Sequence, residues 1–224
     1  MNWNILLETS IQTLLMTIVS TLIAYVIGLP LGILLNVTSK NGLRPNRVIN
    51  TIFGSIVNIF RSIPCLLLII ILIPVTNIIF GKGSWTGEWY SMVVPLVVAS
   101  FAFISRMVEQ SLNEVDTHVI EAIKSLGATD KEIILKVLLP EARSSLISGA
   151  AVTTVSIIGY TSFAGYIAAG GLICQAFNFG YYSNETTAMW ICILVVILIV
   201  QVIQEGGLFI AKKLDKRRIT KWNI

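Results

Sequence analysis

Five long stretches of this chain carry no charged residue, and this feature limits the possible folds more than any other. They cover 9–39, 62–81, 89–105, 144–184 and 186–204. A helix that crosses a bilayer needs about 20 consecutive, mostly apolar residues. Apolar residues make up 55 % of the chain and charged residues only 12 %, about half the usual globular share. The sequence therefore predicts an all-α integral membrane protein and excludes a water-soluble domain.

The fourth uncharged stretch, 144–184, is about twice as long as one span requires. Its second half contains Gly170-Gly171, Gln175, Asn178 and two adjacent tyrosines, which suit an interfacial loop better than a lipid-facing helix. We therefore predict five transmembrane helices in a single domain that covers 1–224. Their approximate bounds are 11–36, 57–80, 89–107, 145–168 and 186–210.

Lysine and arginine positions predict the orientation of these spans. No basic residue precedes Lys40, and basic residues are concentrated in three segments: the loop after the first span, the segment after the third span, and the C-terminal tail. Cytoplasmic loops carry the excess of Lys and Arg, so the N-terminus is predicted outside and the C-terminus inside. Lys82 is then the only basic residue on the outer side. The same asymmetry explains the basic pI without a nucleic-acid partner.

Several kinds of chemistry have no support in the sequence. There is no G-x-x-x-x-G-K-[ST] loop to hold ATP phosphates, no Ser/His/Asp set and no metal-ligand spacing. The predicted spans almost lack the buried acids and histidines of ion-driven transporters. Arg61 and Glu205 lie at predicted cytoplasmic ends of spans, where snorkelling explains them. We therefore predict neither a catalytic residue nor a metal ligand, and any energy for uphill transport must come from another chain.

The segment of about 106–143, between the third and fourth spans, is too long to be a simple connection. Val119, Ile120, Ile123 and Leu126 have helical spacing, and Gly127 follows as a C′ glycine would. The run Thr129-Asp-Lys-Glu132 is a capping box that opens a second helix. Pro140 lies where a new helix, the fourth span, could begin. This pattern predicts either an amphipathic element on the membrane surface or a docking element for a cytoplasmic partner.

Part of this segment resembles the EAA loop of ABC importer permeases. That pattern is Glu-Ala-Ala, three residues, Gly, nine residues, and Ile-x-Leu-Pro; here Glu121-Ala122-Ile123 and Gly127 precede a Val-Leu-Leu-Pro run that ends at Pro140. The spacing is intact, although Ile123 and Val137 replace Ala and Ile. The resemblance implies that the loop holds coupling helices that insert into the ATP-binding subunit. The coupling residues it implies are Glu121, Ala122, Gly127, Ala128, Val137, Leu139 and Pro140.

Other motifs are similar to those of methionine-importer permeases and extend the resemblance over about 55–210. They are Phe60-Arg61-Ser62-Ile63-Pro64, Ile73-Pro74-Val75-Thr76, Arg106-Met107-Val108-Glu109, Lys136 to Ala142, Gly159-Tyr160 and Gly170-Gly171-Leu172. Two departures occur: Ile173 and Cys174 follow Gly-Gly-Leu where that family usually has Gly, and 160–166 is bulkier than its usual run of small residues.

The resemblance implies a multi-pass protein of the bacterial cytoplasmic membrane that transports an amino acid, with methionine expected. The implied partners are two copies of an ABC ATPase subunit, which would bind ATP and Mg²⁺, a second copy of this chain, and an extracellular or periplasmic solute-binding protein. This chain itself would carry no cofactor. Candidate path residues are Tyr160, Thr161 and Ser162. A permease for another polar amino acid or small solute, and a membrane scaffold that recruits a cytosolic partner, remain as alternatives.

Overall fold

The computed structural model describes residues 3–81 and 88–215, where every regular element is helical. Lys82 and the tail from Lys216 onward, which the orientation argument used, lie outside these residues. In the described part the α-helices are α1 (Trp3–Thr38), α2 (Arg47–Ser62), α3 (Cys65–Phe80), α4 (Val93–Asn113), α5 (Thr117–Ser125), α6 (Asp130–Ile133), α7 (Leu139–Tyr160), α8 (Leu172–Phe177) and α9 (Thr186–Leu214).

Shorter turns extend several of these helices. A 3-10 turn at Trp89–Met92 leads into α4, and another at Thr161–Ile167 continues α7. A π turn at Ile134–Leu138 joins α6 to α7, and a second at Asn178–Tyr182 follows α8.

Four helical segments of the described chain are long and apolar enough to cross a membrane: Trp3–Thr38, Trp89–Asn113, Asp130–Ile167 and Thr186–Leu214. The pair α2 and α3 makes a fifth if it is taken as one broken span. The segment 168–185 contains only α8 and its π turn, so the predicted non-spanning loop after the fourth span is confirmed. The protein is thus a multi-pass helical membrane protein, with helices longer at most ends than predicted.

The predicted second span, 57–80, is wrong as a single helix. The helical segment begins ten residues earlier, at Arg47, and α2 and α3 meet at an angle of 105°. Proline forces the residue before it out of the helical region, and Ile63 is accordingly extended, with φ −83° and ψ 122°. Pro64 then precedes the first turn of α3. Hydropathy does not detect this break, because both sides of it are apolar.

Helix α4 is the centre of the bundle. Of its most apolar 18 residues 61 % are buried, compared with 11 % for α9. Helix α1 packs directly on it because two glycines face it: a Cβ at Gly28 would lie 2.7 Å from a methyl group of Ile104, and one at Gly32 would lie 2.6 Å from the carbonyl oxygen of Ser105. The small residues of α1 therefore bring two helices of the same chain together.

Helix α7 contacts another face of α4 through two small residues, Ser145 and Gly149. The Ser145 hydroxyl donates to that of Ser111 at 3.0 Å, and Gly149 lies against the side chain of Met107. The small residues Gly28 and Gly32 of α1 and Ser145 and Gly149 of α7 thus all contact α4 of the same chain.

The chain reverses after α7 at the Gly-Gly motif. Gly170 and Gly171 have φ of 78° and 90°, a region that side chains disfavour. Helix α1 holds this turn, because the amide of Gly171 donates to Gln12 Oε1 at 3.0 Å and that of Leu172 donates to Thr13 Oγ1 at 2.8 Å. This turn defines the end of the bundle opposite the basic loops.

Helix α7 begins at Leu139, so Pro140 lies in its first turn, as the sequence predicted. The segment from Asp130 to Ile167 is one helical run, and the π turn Ile134–Leu138 lies directly before the proline. A proline within a helix lacks the amide donor and its ring clashes with the carbonyl four residues back. The wider π turn, closed by the amide of Leu139 on the carbonyl of Ile134, accommodates that clash without ending the helix.

Candidate functional site

Residues 116–140 form a helical knob at the end of the bundle that carries the basic loops. It consists of α5, a glycine turn, α6 and the π turn that leads into α7. Its base is fixed to the bundle, because Ile133 and Leu138 are buried in the same apolar cluster as Ile104 and Val108 of α4.

Helix α5 is fixed at both ends by local hydrogen bonds. The Asp116 side chain accepts from the amide of His118 at 2.9 Å and caps the first turn. At the other end, the amide of Gly127 donates to Lys124 and that of Ala128 donates to Ile123, which is the Schellman pattern. Gly127 has φ +84°, so the C′ glycine predicted from sequence is confirmed.

We expect Gly127→Ala to loosen α5 without unfolding the bundle. No heavy atom lies within 4 Å of a Cβ built at Gly127, so the cost is conformational, about 1–2 kcal/mol for an L-residue in the left-handed region. Amide exchange over α5 should accelerate about tenfold. Gly206→Ala is the matched control, since it is equally uncrowded and lies within α9. Unchanged exchange in Gly127→Ala would show that the turn does not hold α5.

The capping box predicted at Thr129 is present. The Thr129 hydroxyl accepts from the amide of Glu132, and the Glu132 carboxylate accepts from the amide of Thr129 at 3.1 Å. Lys136 also donates to Glu132 at 2.9 Å. The hydrogen bond from Lys136, followed by those from Thr129, lowers the pKa of Glu132 to about 2, so this carboxylate is ionised at neutral pH.

The loop between α1 and α2 braces the knob. Arg44 forms an ion pair with Asp130, at the start of α6. Nearby, Asn36 of α1 donates to Asn113 at the end of α4 at 2.7 Å. A cavity of about 780 Å³ lies behind α5, between this loop, the end of α4 and Leu138. The knob is therefore tied to the loop between α1 and α2 through Arg44, and its base packs against α4.

The apolar residues of α5 form two stripes, whereas the sequence pattern predicted one. Ile120 and Ile123 pack against the apolar cluster at the base of the knob. Val119 and Leu126 are 40 % and 86 % exposed, and Ala122 is exposed between them. The single apolar stripe that the spacing predicted is therefore divided, and Val119, Ala122 and Leu126 form a separate exposed stripe at the spacing of one helix face.

The predicted coupling residues occupy different layers of the knob. Glu121, Ala122 and Gly127 are exposed on its outer surface, and Ala128 is half-buried. Val137 is buried and Leu139 half-buried, whereas Pro140 is exposed at the start of α7. The exposed residues of α5 and its glycine turn are available to a partner. Val137 and Leu139 connect the knob to α7.

The candidate path residues lie where α7 passes into its 3-10 turn. The Thr161 side chain is buried and donates to the carbonyl of Ile158 at 2.6 Å, while exposed Ser162 donates to Gly159 at 2.7 Å. Tyr160 packs against the apolar cluster at that end of the bundle. Their assignment to the path stays a prediction.

The structure brings together a charged cluster that sequence reasoning missed. Arg106 of α4 pairs with Glu109 at 2.7 Å and donates to the carbonyl of Gly54 at 3.1 Å and to Asn58 Oδ1 at 2.9 Å, both in α2. Arg61 lines the same cavity, of about 370 Å³. The three-residue Arg–Glu spacing in α4 was the available signal, but the contacts with α2 depend on tertiary structure.

Within residues 3–81 and 88–215 no group of three or more His, Cys, Asp or Glu could hold a metal ion. The three cysteines are free thiols in this part of the chain.

Residues 28–216 match the family model described as the inner membrane component of binding-protein-dependent transport systems. The chain belongs to this family. The matched region includes the knob, the charged cluster between α2 and α4 and the Gly-Gly turn, so it covers every element described above except residues 3–27 of α1.

Individual members of this transport family align along most of the chain. A probable D-methionine transport system permease protein, MetI, of Vibrio cholerae is 36 % identical over 217 residues, which cover 97 % of this chain and 95 % of the relative. The methionine import system permease protein MetP of Bacillus subtilis is 44 % identical over 184 residues, or 82 % of each chain.

A solved member has the same fold. A chain of the MetNI methionine ABC transporter, in inward-facing conformations, matches with a TM-score of 0.90 and 38 % identity, covering 96 % of this chain and 99 % of that one. An amino acid ABC transporter crystallised with histidines matches with a TM-score of 0.76 at 17 % identity, which shows a shared fold.

Proposed function

We propose that this chain is the membrane-spanning permease subunit of an ATP-driven importer for methionine. The observation that carries this proposal is the likeness to the chain of the MetNI methionine transporter, which extends over nearly the full length of both chains. The methionine permeases of two other bacteria support the same cargo.

We propose that the basic end of the bundle faces the cytoplasm. The knob lies at this end, and the basic residues Lys40, Arg44 and Arg47 lie in the adjoining loop and at the start of α2. Positive residues on the cytoplasmic side of a membrane protein support this orientation. The N-terminus of α1 and the Gly-Gly turn then face outward, toward a solute-binding protein.

The ATPase partner docks on the exposed stripe of the knob. Val119, Ala122 and Leu126 offer an apolar surface on a short helix, which is suited to insertion into a groove. Glu121 is exposed on a different side of α5, where it lines the cavity behind the helix. ATP and Mg²⁺ bind to the ATPase chain, and this chain supplies no cofactor ligand.

Transport follows from the rigid connection between the knob and α7. The π turn joins α6 to α7 without a break, so a displacement of α5 and α6 by the ATPase moves α7. We expect two copies of the chain around a two-fold axis to enclose the path, and the exposed apolar residues of α2, α3 and α9 are available to lipid and to the second copy. Closure of two ATPase subunits then opens the path outward, and hydrolysis resets it. The ATPase must bind the two states with different affinity for this coupling to work.

A growth assay tests whether methionine is the transported amino acid. A bacterial strain that requires methionine and lacks its own methionine importers would receive this chain with its ATPase and binding protein. We expect growth on low concentrations of L-methionine, and none when this chain is omitted. Growth rescue in matching auxotrophs for another amino acid, but never for methionine, would contradict the proposed cargo.

A further inference from the structure

The cavity between α2 and α4 has a chemical composition that is unusual for a membrane span. Arg61 contributes from α2, and one face of α4 contributes Phe103, Arg106, Met107, Glu109 and Gln110. Its volume of about 370 Å³ falls within the range of about 300–1,000 Å³ that is typical of small-molecule sites. Two guanidinium groups, one carboxylate and an aromatic ring thus line one small space.

Arg106 and Glu109 are held in fixed positions in this cavity. Three hydrogen bonds, to Glu109, Gly54 and Asn58, occupy both terminal nitrogens of Arg106. Glu109 uses its Oε2 for this pair, and no other hydrogen bond to its carboxylate occurs within the described residues. Glu109 therefore has a carboxylate oxygen to offer to a cationic ligand.

Arg61 is the unpaired cation of the cavity. Its side chain has no ion pair or hydrogen bond within residues 3–81 and 88–215, and it lies in the last turn of α2, directly before the break at Pro64. Arg61 is exposed, so its guanidinium is accessible to a ligand that enters the cavity. Because the fork of Arg fits a carboxylate with two parallel hydrogen bonds, this residue is suited to an anionic group.

The polar face of α4 is only partly covered, by α2, to which Arg106 donates two hydrogen bonds. The other faces of α4 are occupied by α1, through Gly28 and Gly32, and by α7, through Gly149. The cavity face carries Arg106, Glu109 and exposed Gln110, which are poorly suited to lipid. In an assembly of two copies this face is therefore suited to line a water-filled path.

We propose that this cavity binds the transported amino acid as a zwitterion, an inference that rests on the proposed function. Arg61 holds the α-carboxylate and Glu109 the α-ammonium group, while Phe103 and Met107 contact the side chain. Arg106 acts as a positioning residue, because it fixes Glu109 and ties it to α2. A thioether side chain fits this lining well, since sulfur makes favourable contacts with aromatic rings. The site selects zwitterions with apolar side chains over cationic or anionic amino acids.

Uptake measured against ATP hydrolysis tests this site. The full complex of permease, ATPase and binding protein is reconstituted in liposomes, and radiolabelled L-methionine uptake is divided by ATP hydrolysed. We expect Arg61→Gln to lower this ratio about 10- to 100-fold, the loss that follows removal of a charge-assisted hydrogen bond. ATP hydrolysis stimulated by the binding protein should persist, because the knob is untouched. Arg61→Lys should recover part of the uptake.

Two further variants keep the test specific. Arg47→Gln removes the same charge from the exposed first residue of the same helix, and its ratio should equal that of the wild type. Glu109→Gln keeps an oxygen to accept from Arg106 but loses the charge, so it should lower the ratio as Arg61→Gln does. A wild-type ratio in Arg61→Gln would overturn the site. So would a parallel loss of uptake, ATP hydrolysis and assembly, because that result indicates a structural role.

Uptake by the wild-type complex tests the proposed function, and uptake by Arg61→Gln tests the cavity. If the wild-type complex imports no amino acid, the proposed function is contradicted. If the wild type imports methionine and Arg61→Gln does so equally well per ATP, the importer assignment stands and only the cavity assignment is wrong.

Discussion

Leu126→Asp should abolish binding of the ATPase subunit while leaving the permease folded in the membrane. Leu126 is 86 % exposed, so the isolated chain loses little when it changes. In the complex we expect this side chain to be buried, which contributes about 1.5–3 kcal/mol for a leucine. An unpaired buried carboxylate costs several kcal/mol more. Together these effects weaken association by about a thousandfold or more.

The measurement is the dissociation constant of the ATPase subunit for the purified permease in detergent. Asn41→Asp is the matched control, because it adds the same charge at an exposed position on the loop between α1 and α2. Leu126→Ala should give an intermediate loss, since it removes the apolar contact without burying a charge. Wild-type affinity in Leu126→Asp would mean that the exposed stripe of α5 is not the docking surface.

Gly32→Leu should prevent α1 from packing on α4 and should leave little folded protein. A Cβ at Gly32 would lie 2.6 Å from the carbonyl oxygen of Ser105 and 2.6 Å from Cβ of Val108. Neither atom can rotate away, so the two helices must separate. Even Gly32→Ala should cost about 1–3 kcal/mol, the usual cost of overpacking, and the larger side chain should cost more.

Retention of monodisperse protein after heating in detergent measures this effect. The control is the pair Gly206→Ala and Gly206→Leu, because a Cβ at Gly206 in α9 meets no heavy atom within 4 Å. These two variants should retain wild-type stability. Equal stability of Gly32→Leu and Gly206→Leu would contradict the close α1–α4 contact.

The local signals in the sequence were the most reliable predictors of this structure. The capping box at Thr129 and the C′ glycine at Gly127 depend on a few neighbouring residues, and both are present. The Gly-Gly turn was also recognised as a loop. Spans could be counted from charge and hydropathy because lipid requires long apolar helices.

The features that the sequence analysis missed depend on contacts between distant residues or on backbone geometry. Val119 and Leu126 have the same spacing as packed residues, and only the position of α5 against the bundle shows that they are exposed. Two of the hydrogen-bond acceptors of Arg106 lie in α2, about 50 residues away in sequence. Two prolines lie at helix junctions with different geometry: Pro64 separates α2 from α3 at a sharp bend, whereas Pro140 lies in the first turn of α7, which a π turn joins to α6.

Uptake of radiolabelled methionine into liposomes tests the central claim most directly. The vesicles contain this chain, its ATPase and its binding protein, and uptake is compared with ATP and with a non-hydrolysable ATP analogue on the ATPase side. We expect methionine to accumulate above the external concentration with ATP and not with the analogue. Accumulation without ATP hydrolysis, or no uptake of methionine despite a bound and active ATPase, would contradict it.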